Sequence, residues 1–360
     1  METEQSSPRV GRLRHVVKVV LAALCLLALA PSARAEDKPA VIRIANPGVG
    51  IGGRPVVAYG AWSLLHIKGQ LEDEFKKDGI KVQWTFARGA GPAVNEQFAN
   101  DLADISLLGD LPSIIARSSG VKTKVLAAAG LTNLYIAVPA DSSIQNFKDL
   151  IGKKLAVFKG TCLHLSASRI LSAQGLSEKD LRTINMDAVS TLAALTTKDV
   201  DAAIGGNELL ALKERGAVRL IYSTKGDPRY TCNSTLVVAE PFLNKYPSVV
   251  KRVLRTYVRA AKWVTEQETN PTEVFNLFTK SGIPFASFKS DWAGDPFKVK
   301  VSPRIDGYLR ARYRTSVKDA LKFGLIRKEF DIDSWFDPTL LEQVLREENL
   351  VGYWPDRPVN

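Results

Sequence analysis

From about residue 40 to residue 240 the chain alternates short apolar runs with amphipathic stretches, and this alternation restricts its possible folds more than any other feature. "AVIRIAN" (40–46), "IKVQWTFA" (80–87), "ADISLLG" (103–109), "KVLAAAG" (124–130) and "LYIAVPA" (134–140) read as strands. Helical patterns separate the first three. Val57, Ala61, Leu64 and Leu65 share one face before a break near Gly69, while Val94 and Phe98 stand four residues apart. "DLPSIIARSSG" reads as a short helix. Strands linked through helices assemble into an α/β fold with a largely parallel sheet.

A similar unit starts near residue 140. "SIQNFKDLIG" predicts a short helix, "KLAVFKG", "LRTINM", "VDAAIGG", "VRLIYST" and "STLVVAE" predict strands, and "CLHLSASRILSAQG", "AVSTLAALTTKD" and "ELLALKERGA" predict the helices between them. Beyond residue 240 the pattern is mainly helical. Val250, Leu254, Tyr257, Ala261 and Val264 form an apolar stripe, with Lys251, Arg255, Arg259 and Lys262 on a side expected to be solvated. In "FDPTLLEQVLREEN", Asp337 is expected to cap a last helix with Pro338 in its first position.

The N-terminus has the form of a leader. Arg9, Arg12, Arg14 and Lys18 precede the apolar run "VVLAALCLLALA" (19–30), and Ala33 and Ala35 supply an A-x-A site, so cleavage is expected after Ala35. The run is short for a membrane span. Leu24 before Cys25 is too large for lipoprotein processing. The mature chain of residues 36–360 is then exported, soluble and expected to be a monomer. Cleavage removes five basic and two acidic side chains, lowering the formal charge from +11 to +8. The remaining Lys and Arg are scattered, with no aromatic-interleaved patch, so the charge favours small anions over nucleic acid. A mature chain of this size exceeds the usual single core, which predicts two lobes.

Four loops share one design. "GIGGR", "RGAG", "LGD" and "KGTCLH" each put glycine and small polar groups where a strand ends and a helix begins. In "RGAGPAVNEQF" (88–98), Pro92 is expected at the first helical position. Bare helix starts expose backbone N–H groups that favour anions, and ligands of open α/β sheets bind in the crevice at strand ends. None of the loops is a phosphate loop or a dinucleotide fingerprint. Zinc spacings and the G-x-S-x-G or H-E-x-x-H motifs are absent from the sequence, so no cofactor or metal is expected.

"IKGQLEDEFKKDGIKVQWTFARGAGPAVNEQFANDLADISLLGDLPSIIA", "FKDLIGKKLAVFKGTCLHLSASRILSAQGLSEKDL", "KDVDAAIGGNE" and "FLNKYPSVVKRVL" resemble the periplasmic solute-binding proteins for aliphatic sulfonates, taurine, nitrate and pyrimidine precursors. These serve ABC importers, and the resemblance extends over most of residues 40–350. It implies a two-lobed, type II-like periplasmic binding protein fold with the ligand cleft between lobes. Residues 36–138 and 238–360 would form the first lobe and residues 139–237 the second.

The resemblance also implies a site. The Gly89–Ala90–Gly91 turn and the Asp110–Leu111–Pro112 segment would line the cleft from the first lobe, with Gly53 and Arg54 nearby. Gly160 and Thr161, followed by Cys162 and His164, would receive the anionic group. Asn207 would face the ligand from the second lobe. Where many members carry an aromatic residue and an aspartate before a proline, this chain has Gly206, Asn207 and Glu208, which favours a larger or uncharged ligand tail over taurine. Arg54 and Arg88 are either ion-pair partners of the ligand or solvated loop charges. His164 either touches ligand or packs, and His66 is expected to pack.

Cys162 and Cys232, the cysteines of the mature chain, either form a disulfide or leave Cys162 as a free thiol at a helix start. The implied function is capture of a small organic anion, a sulfonate, for an inner-membrane ABC permease. The competing readings are an enzyme resembling the pyrimidine-precursor synthases, and an exported sensor partner.

Overall fold

The computed structural model describes residues 38–58 and 60–359. The expected leader, residues 1–35, lies outside the described residues. In chain order, β1 (Val41–Pro47) leads to α1 (Ala61–Ile67) and α2 (Gln70–Phe75), then β2 (Lys81–Ala87), α3 (Ala90–Ala99), β3 (Ile105–Gly109), α4 (Asp110–Ser118) and β4 (Thr123–Thr132). Next come β5 (Tyr135–Pro139), β6 (Lys154–Val157), α5 (Cys162–Ala173), β7 (Arg182–Asn185), α6 (Ala188–Thr197), β8 (Ala202–Gly205), α7 (Glu208–Glu214) and β9 (Val218–Ser223). After β10 (Cys232–Ala239) the chain continues as α8 (Glu240–Lys245), α9 (Pro247–Glu266), α10 (Thr272–Phe278), α11 (Phe285–Trp292), α12 (Phe297–Lys300), α13 (Gly307–Lys322) and α14 (Thr339–Glu347).

The strands form two five-stranded sheets, ordered β2-β1-β3-β10-β4 and β7-β6-β8-β5-β9, giving the expected two-lobed α/β fold. Each sheet is more mixed than the alternation predicts. In the first, β1 is parallel to β2 and β3, whereas β10 is antiparallel to both β3 and β4. In the second, β6 is parallel to β7 and β8, whereas β5 is antiparallel to β8 and β9. The cause is the chain's two crossings. It leaves the first sheet after β4 and returns with β10, so a strand arriving from the other sheet enters each one against the local direction.

Each sheet is covered on both faces, as strands fed by crossover helices require. Successive residues of β1 point to opposite layers. Ile42 and Ile44 join a core with Leu107, Leu126 and the buried stripe Val250, Leu254, Tyr257, Ala261 and Val264 of α9, while Ala45 packs with Leu108, Val125 and Val237. The second sheet does the same with Ile136 and Leu155 on one side and Ala137 and Ala156 on the other.

Three local expectations are corrected. Helix α3 begins at Ala90, so Pro92 is its third residue; Gly89 is the cap, and Ala90 takes a left-handed φ of 51°. Helix α14 begins at Thr339 with Pro338 at the cap position, although Asp337 Oδ1 still accepts the Thr339 N–H at 3.0 Å. The basic side of α9 is ion-paired: Lys251 and Arg255 reach Glu347, and Arg259 reaches Glu348, tying α9 to α14 and the turn after it. Each such pair contributes little alone. Together they fix where α14 lies against the first sheet.

Candidate functional site

A cavity of about 220 Å³ lies between the two sheets. Four helices of nine or more residues open onto it. Ala90 starts α3, Gly109 caps α4, Thr161 and Cys162 cap and start α5, and Ala188 starts α6. The shorter α7 adds Asn207 and Glu208. The first N–H groups of a helix have no intrahelical acceptor, and the aligned peptide dipoles place partial positive charge there. The rest of the wall is mainly apolar, with Val49, Ile51, Leu131, Leu163, Ile283 and Trp292.

Glycine permits the close approaches that shape this wall. A Cβ on Gly91 would lie 2.4 Å from Pro112 Cβ, and one on Gly160 would lie 2.8 Å from Pro92 Cγ. Gly160 also has a φ of 76°, which side chains rarely adopt. The second contact joins the α5 turn to the start of α3 across the two sheets.

Of the residues singled out in the sequence, Ala90, Gly91, Pro112, Thr161, Cys162 and Asn207 line the cavity. Gly53, Arg54, Gly89, Asp110, Leu111, Gly160 and His164 lie outside the lining. Arg54 Nη1 reaches Lys280 O at 3.5 Å, and the Arg88 guanidinium lies beside Gly53. Leu111 is buried in the first lobe's core. Asp110 is also buried: its carboxylate accepts from the Leu111 N–H at 2.8 Å and Ser316 Oγ at 2.9 Å, with Arg169 Nη1 at 3.6 Å. Burial pushes its pKa up, and the Arg169 charge opposes that shift. Arg169 also reaches Asp319 at 2.7 Å, so this network bolts α5 to α4 and α13.

The α5 turn is built from within. Thr161 Oγ1 donates to Phe158 O at 2.7 Å, leaving backbone N–H groups as what the turn offers the cavity. His164 Nδ1 accepts the Gly160 N–H at 3.2 Å and Nε2 lies 2.8 Å from Glu178 Oε1, so the proton sits on Nε2. That hydrogen bond is the main reason Glu178 is held below its ordinary pKa. His66 packs edge-on against Trp84 and Phe86, as expected, and burial lowers its pKa. Cys162 and Cys232 are joined as a disulfide with Cα atoms 5.6 Å apart. Both sulfurs pack against Gly109, and both residues line the cavity.

Sequence reasoning missed the wall supplied by α11 and α12. Asp291, Trp292 and Lys300 all line the cavity. Lys300 Nζ lies 2.9 Å from Asp295, 3.6 Å from Asp291 and 5.2 Å from the Trp292 ring centre. Tyr135 OH donates to Asp291 Oδ1 at 2.7 Å, and burial raises the Tyr135 pKa beyond the ordinary tyrosine value. Asn133 Nδ2 donates to Asp291 O and Asp295 Oδ2. The available signal was "SDWAGDPFK", a tryptophan between acidic residues at a Gly/Pro turn.

The sequence profile of the family described as NMT1/THI5 like matches residues 72–271. A Bacillus subtilis (strain 168) chain named as an aliphatic sulfonates-binding protein is 30% identical over 212 residues, which make up 58% of this chain and 63% of that one. The taurine-binding periplasmic protein of Escherichia coli (strain K12) is 25% identical over 60% of this chain and 69% of its own. Among solved structures, the periplasmic sulfonate-binding protein SsuA of Methylobacillus flagellatus KT superposes with a TM-score of 0.75 at 29% identity, covering 89% of this chain and 98% of that one. The desulfurization enzyme DSZB shares the fold with a TM-score of 0.61 at 17% identity, over 85% of this chain and 99% of its own.

Proposed function

Because the chain belongs to the NMT1/THI5-like family, we propose that it is an extracytoplasmic binding protein that captures a small sulfonate and delivers it to an inner-membrane ABC permease. The observation that carries this reading is the cavity itself: apolar walls around the starts of four helices, with Lys300 already held by two carboxylates. An anion there is held by backbone N–H groups and helix dipoles instead of a free counter-charge. The apolar wall takes the organic tail. A volume of about 220 Å³ falls below the roughly 300–1,000 Å³ typical of drug-sized ligands, which suits a short one.

One lobe carries β1–β4 with β10 and the helices after it, and the other carries β5–β9, so strand pairing moves the boundaries expected at 138/139 and 237/238 to the starts of β5 and β10. Ligand contacts from both lobes favour a closed state. The close approach of Gly160 to Pro92 is one of the contacts between the lobes that opening to admit ligand would break. The mature protein works as a periplasmic monomer after removal of residues 1–35. Binding without turnover is supported by the relatives named as binding proteins, and in the cavity Cys162 and Cys232 are bonded to each other, so neither offers a thiolate.

Thermal-shift screening of residues 36–360 against alkanesulfonates, taurine, nitrate, carboxylates and pyrimidines tests the reading. A short alkanesulfonate at about 100 times its Kd is expected to stabilise the protein by about 2.7 kcal/mol and to be recovered unchanged by mass spectrometry. A shift with pyrimidines or carboxylates and none with sulfonates overturns the ligand class. Chemical conversion of the ligand overturns the binding-protein role.

A further inference from the structure

The first residue of α7 raises a question that anion capture leaves open: a carboxyl group, Glu208, lines the cavity. Its Oε1 accepts the Gly206 N–H at 2.8 Å. The side chain folds back over two glycines, where a Cβ on Gly205 would lie 2.7 Å from Oε1 and one on Gly206 would lie 2.9 Å from Oε2. "GGNE" therefore makes a seat for this carboxyl group.

Among the described residues, the groups around the seat supply no unengaged cation. From α11, packed against α7, comes Asp291, a like charge. Lys300 is engaged by Asp295 and Asp291, and Tyr135 of β5 donates to Asp291. On α6, the cap Asp187 accepts the Ser190 N–H. On β9, Arg219 turns its guanidinium to the carbonyls of Ser142 and Ile144. An ionised Glu208 would thus stand beside Asp291 with backbone N–H groups as its donors, those of Gly206 and Glu208 itself, facing an anionic ligand.

We propose that Glu208 works as a neutral carboxylic acid whose Oε2–H donates a hydrogen bond to an anionic oxygen of the ligand, which makes capture depend on its protonation. The proposal rests on the anion-binding reading of this cavity. Burial is the main cause pushing the Glu208 pKa up; the backbone N–H groups of Gly206 and Glu208 oppose it and Asp291 adds to it. Loss of the proton removes a donor and adds a repelling charge in one step. Sulfonates stay ionised throughout the working range, so the pH dependence would belong to the protein.

Calorimetric titration of residues 36–360 with n-butanesulfonate from about pH 5 to about pH 9 tests this. Affinity of the unsubstituted protein is expected to fall about tenfold per pH unit above the Glu208 titration. Glu208→Gln keeps a donor, and its affinity should be flat with pH, within about threefold of the low-pH value of the unsubstituted protein. Parallel profiles in the two proteins overturn the proposal. Infrared spectra of ligand-free protein at neutral pH should show a protonated-carboxyl band that Glu208→Gln lacks, and absence of that band also overturns it. Failure of both proteins to bind n-butanesulfonate at any pH, with the band present, refutes the anion reading and the donor role with it, leaving the neutral acid as a ligand-free property.

Discussion

Replacing Cys162 and Cys232 together by alanine is expected to lower the unfolding free energy of residues 36–360 by about 5 kcal/mol. The two residues are 70 apart in sequence, and in the chain-entropy relation a closed loop of that length restricts the unfolded chain by about 4 kcal/mol at 25 °C. The loop contains α5, β7, α6, β8, α7 and β9, most of the second lobe, so the bond acts on that lobe's unfolded state as a whole. Removing the sulfurs also strips the packing against Gly109, a further cost of about 1 kcal/mol. Urea denaturation of three samples separates the two effects. Reduced unsubstituted protein loses the loop term alone, the double variant loses both, and the oxidised protein is the reference. Thiol titration of unfolded, unreduced protein should find no reactive cysteine. Two reactive thiols, or oxidised protein and double variant within about 1 kcal/mol of each other, would refute the reasoning.

Gly91→Ala is expected to destabilise the protein by about 1–3 kcal/mol and to weaken ligand binding, because the new Cβ would lie 2.4 Å from Pro112 Cβ and the start of α3 must move. An unchanged melting temperature counts against that packing. Arg357→Ala leaves Asp306, whose side chain is fully buried and caps α13, without its partner at 2.8 Å, at a cost of about 3–5 kcal/mol. Burial pushes the Asp306 pKa up, but the Arg357 hydrogen bonds and charge outweigh it and leave the carboxyl below its ordinary value. Its stabilising contribution is therefore full above the unfolded value of about 4 and disappears as the pH falls through the lower folded value. The stability gap between the unsubstituted protein and Asp306→Asn should close in acid; a gap constant with pH refutes it.

The fold was legible wherever burial follows a short period. β3 is buried along "ISLL", and α9 buries each of the five stripe residues named from its spacing, because a strand or helix read locally already declares which side must leave water. The antiparallel insertion of β5 and β10 was not legible. Their sequences would serve equally well in either direction, and what reverses them is the crossing between sheets, a property of connectivity. The start of α3 was misread for a different reason. Pro92 suits the first helical turn, but two earlier residues, one with positive φ, complete that turn by a local geometry that propensity does not encode.

The candidate site divides along the same line. Ala90, Gly91, Thr161, Cys162 and Asn207 could be found because each sits where a predicted strand gives way to a predicted helix, and loops in that position face the crevice of any such sheet. Asp291, Trp292 and Lys300 follow no such rule. They meet the cavity through partners far away in sequence, such as Tyr135, which is 156 residues from Asp291. Lys300 shows the limit most clearly. In "FKVKVS" it reads as a surface charge, yet its side chain is 5% exposed, and a buried ammonium is tolerable only because Asp295 and Asp291 face it. The same pairing removes Lys300, the one cation among the described lining residues, from service as a ligand counter-charge. Backbone N–H groups and the Glu208 carboxyl are left to decide how an anion is held.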